Sequence, residues 1–245
     1  MSINYAVIIP ARYESGRLPG KPMILLDGIP MIVRTWQRCV LACPAEKVYV
    51  ATDDERIRAL CLQWGIQVLM TSPACLTGTD RVAECAELLD ADVFINVQGD
   101  EPVLNPDDLR QIVQAAPQYP GEVLNGYCEI TDAEQFFSRS TPKVALRPDG
   151  RLLYMSRSAI PGNKENAFVR GSRQVCIYAF PREALKAFAS SLEKTPLERI
   201  EDIEILRFLE LGWEVRMLEM SRESIAVDNP EDVERAEQAI RERGL

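Results

Sequence analysis

Short apolar runs recur along this chain, each followed by a stretch long enough for a helix, and that alternation restricts the fold more than any other feature. Tyr5-Ala-Val-Ile-Ile9 reads as a buried strand closed by Pro10, and 47–52 and 67–70 read as two further strands. Helices are expected over 31–41, 54–64, 79–89 and 107–115. Strands alternating with helices of this length build a mainly parallel sheet covered by helices. Val93-Phe-Ile-Asn-Val97 is too apolar for a solvated edge and is expected at the centre.

After 107–115 the alternation breaks. Residues 121–180 contain isolated strand-like runs, 143–146 and 175–180, and a polar loop at 162–173. They read as an irregular β-containing insertion that carries acceptor contacts and a dimer interface. The pattern resumes with a helix over 196–211, a strand over 214–218 and a last helix over 230–243. A chain of 245 residues fits one such domain, 1–245, better than two independent ones. The expected fold class is α/β, Rossmann-like, with a mainly parallel sheet flanked by helices.

One absence directs the chemistry: there is no histidine. Ser-His-Asp and Cys-His catalysis are excluded, as are the usual His-containing zinc sites. Acid-base work must fall to carboxylates, Lys, Tyr or a metal-bound group. The formal charge of −9 argues against a broad nucleic-acid surface, though a few clustered cations suffice for a triphosphate. Seven scattered cysteines with no CxxC pair read as reduced, packed thiols. No stretch reaches the length of a membrane span and no basic-then-apolar leader opens the chain, so a cytoplasmic protein without membrane or nucleic-acid partners is expected.

The loop Pro10-Ala-Arg-Tyr-Glu-Ser-Gly-Arg-Leu-Pro-Gly-Lys-Pro22 follows the first strand directly. In an open α/β sheet that is the carboxyl edge, where ligands bind. Gly16 and Gly20 let backbone approach a ligand, and Arg12, Arg17 and Lys21 bring three cations to one loop. Phosphate is the natural guest. The spacing is neither that of a Walker A loop nor GxGxxG. Asn96-Val-Gln-Gly-Asp-Glu-Pro102 ends the central strand and presents Asp100 and Glu101 at the same edge, while Asp228 follows the apolar run 224–227 and could converge on Asp100 from another strand. Two oxygen ligands plus phosphate oxygens and water are what Mg²⁺ usually accepts.

Together these phrases resemble the sugar nucleotidyltransferases, and in their form the 3-deoxy-manno-octulosonate (Kdo) cytidylyltransferases. The likeness runs through Val50-Ala-Thr-Asp53, Thr77-Gly-Thr-Asp-Arg81, Asn96 to Pro102, Pro196-Leu-Glu198 with Glu201, and Val227-Asp228. It implies attack of an acidic sugar's anomeric hydroxyl on the α-phosphorus of CTP, giving a CMP-sugar and pyrophosphate, and with it a place in lipopolysaccharide biosynthesis. Metal ions and cations can align and neutralise such a reaction without a covalent enzyme intermediate. Arg12, Lys21, Asp100 and Asp228 are the catalytic set this implies, with Mg²⁺ on Asp100 and Asp228. Ala11, Arg12, Arg17, Lys21, Thr77, Gly78, Thr79 and Arg81 are the nucleotide contacts. Gln98, Tyr178, Glu198 and Glu201 are the acceptor contacts, Arg157 and Arg170 are candidates for its carboxylate, and a homodimer is implied.

Two positions depart from the family: Cys75 and Gln174 stand where histidines are usual. An altered acceptor, such as 8-amino-Kdo, a nonulosonic acid or a small acidic molecule, therefore stays open. So do transfer to a sugar or alcohol phosphate and a non-catalytic nucleotide-binding regulator.

Overall fold

The computed structural model describes residues 3–14, 18–191 and 193–245. β1 is Tyr5–Pro10, and a small hairpin of β2 (Leu25–Leu26) and β3 (Ile29–Pro30) leads into α1 (Met31–Val40). There follow β4 (Val48–Thr52), α2 (Glu55–Gln63), β5 (Gln67–Met70), α3 (Gly78–Leu88), β6 (Val93–Val97) and α4 (Pro106–Ala115). The middle of the chain forms β7 (Val123–Ile130), α5 (Ala133–Phe137), β8 (Lys143–Leu146), β9 (Leu152–Ser156) and β10 (Gly171–Pro181). The last part forms α6 (Arg182–Ala189), α7 (Pro196–Glu201), α8 (Ile205–Glu210), β11 (Val215–Glu219) and α9 (Pro230–Arg243).

The main sheet has the order β11-β7-β10-β6-β1-β4-β5. β1 lies parallel between β4 and β6, and β5 adds parallel to β4. β10 runs antiparallel to both β6 and β7, and β11 pairs parallel with β7. The chain thus moves outward from β1 through β4 and β5, then returns to the other side of β1 at β6. That reversal makes the carboxyl ends of β1 and β6 the crevice where a doubly wound sheet takes its ligand.

Strand periodicity divides the core between two faces. Val7 and Ile9 join Val48, Val50, Ile95 and Val97 against α1, α2 and α4, through Ile32, Ile57 and Ile112 among others. Ala6 and Ile8 point the other way, with Phe94 and Phe180, against Val82 of α3, Phe188 of α6 and Phe208 of α8. Alternate side chains of one strand necessarily serve opposite faces, so both must be apolar when helices cover both.

Two expectations change here. Residues 121–180 do not stand apart as one insertion, since β7 and β10 are inner strands of the main sheet. Only the β8–β9 pair, joined to β10 through Arg173 and Lys143, and the segments flanking it stand outside that path. The polar first half of β10 hid the strand. Its register shifts between Val175 and Tyr178, where the Asn125 amide donates to the carbonyls of Val175 (3.0 Å) and Ile177 (2.9 Å). The expected helix 196–211 is two helices, because Asp202 ends α7 in the left-handed conformation with φ 51°. Asp is one of the few non-glycine residues that accept it, which is a weak signal in a sequence.

Candidate active site

The crevice is assembled from the ends of neighbouring elements. β1 runs out into the basic loop, β6 into Gln98-Gly99-Asp100, and Thr77-Gly78 open α3 beside them. Gly99 is required by a close approach: a Cβ there would sit 2.7 Å from the Pro10 carbonyl oxygen. Gly20, at φ 68°, turns the loop back so that Lys21 starts a short 3-10 turn facing β6.

Lys21 stands at the focus. Its Nζ donates to Asp100 Oδ2 at 2.5 Å and to Asp228 Oδ1 at 3.2 Å. Burial alone would lower the ammonium, but Asp100 and then Asp228 outweigh it and the pKa rises. Asp228 converges on Asp100 as expected, though from the irregular segment before α9 and not from a strand. The Val227 N–H donates to the Asp100 carbonyl (2.9 Å), and the Asp228 N–H donates to Asp232 in the first turn of α9 (3.1 Å). Two carboxylates converging on one cation are a donor set that fits a divalent ion sharing its shell with substrate phosphate and water. Glu101 lies behind them, 3 % exposed; burial, then Asp100, push its carboxyl up to about 8, and Ser224 donates to it.

Lys21, Asp100 and Asp228 border one cleft of about 370 Å³. Ala11, Arg12, Lys21, Thr77, Gly78, Arg81, Gln98, Asp100 and Asp228 all line it, so residues more than two hundred positions apart in sequence share a single cavity. Arg17 lies outside the described residues. Arg81 is a buried strut as well as a wall: it pairs with Asp53 at 3.2 Å and donates to the Thr71 hydroxyl, which joins two of the motifs read from the sequence.

Several expected contacts do other work. Thr79 is buried, and its N–H donates to Glu204 Oε2 (2.8 Å). Tyr178 is buried in the core, stacked on Phe180 at 5.5 Å, and accepts a hydrogen bond from Gln174. Glu198 is fully buried in a two-pronged pair with Arg207, at 2.6 and 2.7 Å. Glu201 accepts from the Ser156 hydroxyl (2.6 Å), the Arg157 N–H (2.9 Å) and the Tyr154 hydroxyl (3.2 Å), fastening α7 to β9. The Arg157 guanidinium is spent on the carbonyls of Glu201, Asp202 and Arg139. Thr79, Tyr178, Glu198, Glu201, Arg157 and Arg170 are all absent from the cleft wall. A carboxylate on a helix reads the same in sequence whether it faces a ligand or a buried guanidinium, and only packing separates them.

The wall contains residues the sequence did not single out: Lys194, Asp202 and Glu204. Their one readable signal was Thr195-Pro-Leu-Glu198, a capping box that begins α7 just past Lys194. Cys75 lines the cleft too, its thiol donating to Glu84 at 3.1 Å. Burial and then Glu84 push that thiol up to about 12, so it stays a neutral donor and no nucleophile. Gln174, at the other departure, donates to Asn125 (3.0 Å) and serves the bulge of β10.

A cationic loop and two aspartates meeting at the reversal point of a doubly wound sheet define a nucleotidyltransferase class of α/β protein. The family model described as cytidylyltransferase matches residues 6–223, and the chain belongs to that family. A 3-deoxy-manno-octulosonate cytidylyltransferase of Myxococcus xanthus is 40% identical over 99% of this chain and 99% of its own. An 8-amino-3,8-dideoxy-manno-octulosonate cytidylyltransferase of Shewanella oneidensis is 36% identical over 97% of this chain and 99% of its own. Among solved structures, a CMP:2-keto-3-deoxy-manno-octonic acid synthetase in complex with CTP superposes with a TM-score of 0.90 at 33% identity, covering 98% of this chain and 99% of the other.

Proposed function

We propose that the chain transfers the cytidylyl group of CTP to the anomeric hydroxyl of Kdo, forming the sugar O–P bond at the α-phosphorus and releasing pyrophosphate. The observation that carries this reading is the convergence of Asp100 and Asp228 on Lys21 in the cleft that Arg12 also lines. Arg12 and Lys21 hold the triphosphate and offset the charge on the departing pyrophosphate. Thr77 and Gly78 bound the space for the cytidine, and Gln98 meets the acceptor. Asp100 and Asp228 bind Mg²⁺, which supplies charge neutralisation and alignment of the phosphates. Lys21 then turns from the two carboxylates towards phosphate.

A second reading, transfer to 8-amino-Kdo, draws support from the relatives of that name at 36% identity. We also propose a cytoplasmic homodimer acting in lipopolysaccharide biosynthesis, as the resemblance to the Kdo cytidylyltransferases implies. The test is pyrophosphate release with each NTP against Kdo, 8-amino-Kdo and sialic acid. Release is expected with CTP, Mg²⁺ and one of the two octulosonic acids; release with another NTP but not CTP overturns the proposal. Asp100→Asn is expected to abolish turnover with an unchanged melting curve, and near-normal turnover in that variant removes its metal role.

A further inference from the structure

The cleft wall also carries an ion pair that the reaction as described does not use. Lys194 Nζ donates to Asp202 Oδ1 at 2.5 Å, and both residues line the cavity. The Asp202 side chain is 70 % exposed and that of Lys194 27 %. An ion pair this open to solvent contributes little to stability, because water screens it and two flexible side chains are immobilised. Fold maintenance therefore does not account for the pair.

The backbone beneath it is, by contrast, fixed. Asp202 takes the left-handed conformation that separates α7 from α8, its N–H donates to the Glu198 carbonyl (2.8 Å), and its own carbonyl accepts from Arg157 (2.9 Å). On the Lys194 side, Arg199 donates to the Lys194 carbonyl at 3.1 Å. The break in the helix brings Asp202 to the cleft, and Asp202 keeps the lysine there. Asp202 is held below its ordinary value by Lys194 first, with the charges of Arg157 and then Arg12, another residue of the cleft wall, adding to it. An ammonium has three donors, and Asp202 Oδ1 engages one.

We propose that Lys194 is a substrate-binding residue of this chain: on ligand entry it passes from Asp202 to an oxyanion of the bound substrate, with Asp202 as its resting partner. The oxyanion is a phosphate of the nucleotide or the carboxylate of the acceptor, which share the chemistry an ammonium recognises. Arg81 cannot do this, since Asp53 and Thr71 hold it in the wall, and Lys21 serves the aspartate end. The proposal rests on the transferase reading for its substrates and not for its geometry.

The experiment compares Lys194→Met, Lys194→Arg and Asp202→Asn with the unaltered protein. It measures KM and kcat by pyrophosphate release, and Kd for CTP and for Kdo by calorimetry. Loss of one charge-assisted hydrogen bond corresponds to about a tenfold rise in KM and Kd for Lys194→Met. kcat and Tm should hold, Lys194→Arg should recover most of the affinity, and Asp202→Asn should not weaken binding. A rise for CTP assigns the phosphate, and a rise for Kdo the carboxylate. Unchanged constants for both in Lys194→Met overturn the proposal. So does equal weakening in Lys194→Met and Asp202→Asn, because the pair would then be a tether. If the unaltered protein releases no pyrophosphate from CTP with either Kdo or 8-amino-Kdo, the transferase reading fails, while the calorimetric arm still decides the role of Lys194.

Discussion

Replacing Glu198 by Ala would strip a buried guanidinium of its principal partner. Glu198 and Arg207 are both 0 % exposed and share two bonds of 2.6 and 2.7 Å, with Asp80 a more distant third member at 3.3 Å. Removing one member of a buried pair leaves an uncompensated charge and typically costs about 3–5 kcal/mol. Asp80 remains and partly neutralises Arg207, so the lower end, about 3 kcal/mol, is expected. For a domain of this size each kcal/mol moves Tm by about 2–4 °C, which puts the drop near 6–12 °C. Glu198 does not line the cleft, so KM for the acid should stay within about twofold when turnover is measured well below the lowered Tm, since a lost substrate contact would cost more. Scanning calorimetry alongside pyrophosphate release checks both numbers. An unchanged Tm with a raised KM for the acid would refute the reasoning and return Glu198 to the acceptor site.

Other outcomes follow from the same geometry. Gly99→Ala pushes a methyl to 2.7 Å from the Pro10 carbonyl, so the floor of the cleft must shift; a loss of about 1–3 kcal/mol in urea unfolding and a marked fall in kcat are expected. Glu201 is held below its ordinary 4.5: burial raises it, but Ser156, the Arg157 N–H and Tyr154 outweigh that. Its contribution is therefore present at neutral pH and lost as pH falls through the depressed folded value, so Glu201→Gln should be less stable than the parent at pH 7 and converge with it on acidification in denaturant titrations. A pH-independent gap would contradict this. Lys21→Met removes the cation between Asp100 and Asp228; CTP affinity should fall about tenfold or more, read by calorimetry, and Tm should fall as well, since the carboxylates that raise the Lys21 pKa make its charge stabilising in the folded state.

Much of the plan was written in local pattern. The strands at 5–10, 48–52 and 93–97 and the helices between them announce themselves because a strand covered on both faces must be apolar almost throughout, while 67–70, an edge strand with exposed ends, is marked by its place in the strand-helix alternation. The ligand edge was legible too: Arg12, Lys21 and Asp100 each follow a strand that the reader can see. β10 was not legible in full, since its first half, Gly171-Ser-Arg-Gln174, is polar and depends on β7 and β8 for its pairing.

What the sequence alone determined is the set of charges the reaction needs and the strand-helix alternation that carries Arg12, Lys21 and Asp100 to one edge. What only the tertiary structure decided is the use of each carboxylate and guanidinium. Glu198 and Glu201 match the acceptor motif residue for residue, yet one neutralises Arg207 and the other ties α7 to β9. Asp202, which the sequence did not single out, reaches the cleft because it turns left-handed and breaks a helix, and there it holds Lys194. Charge is a property of the residue, whereas its partner is set by contacts between distant segments.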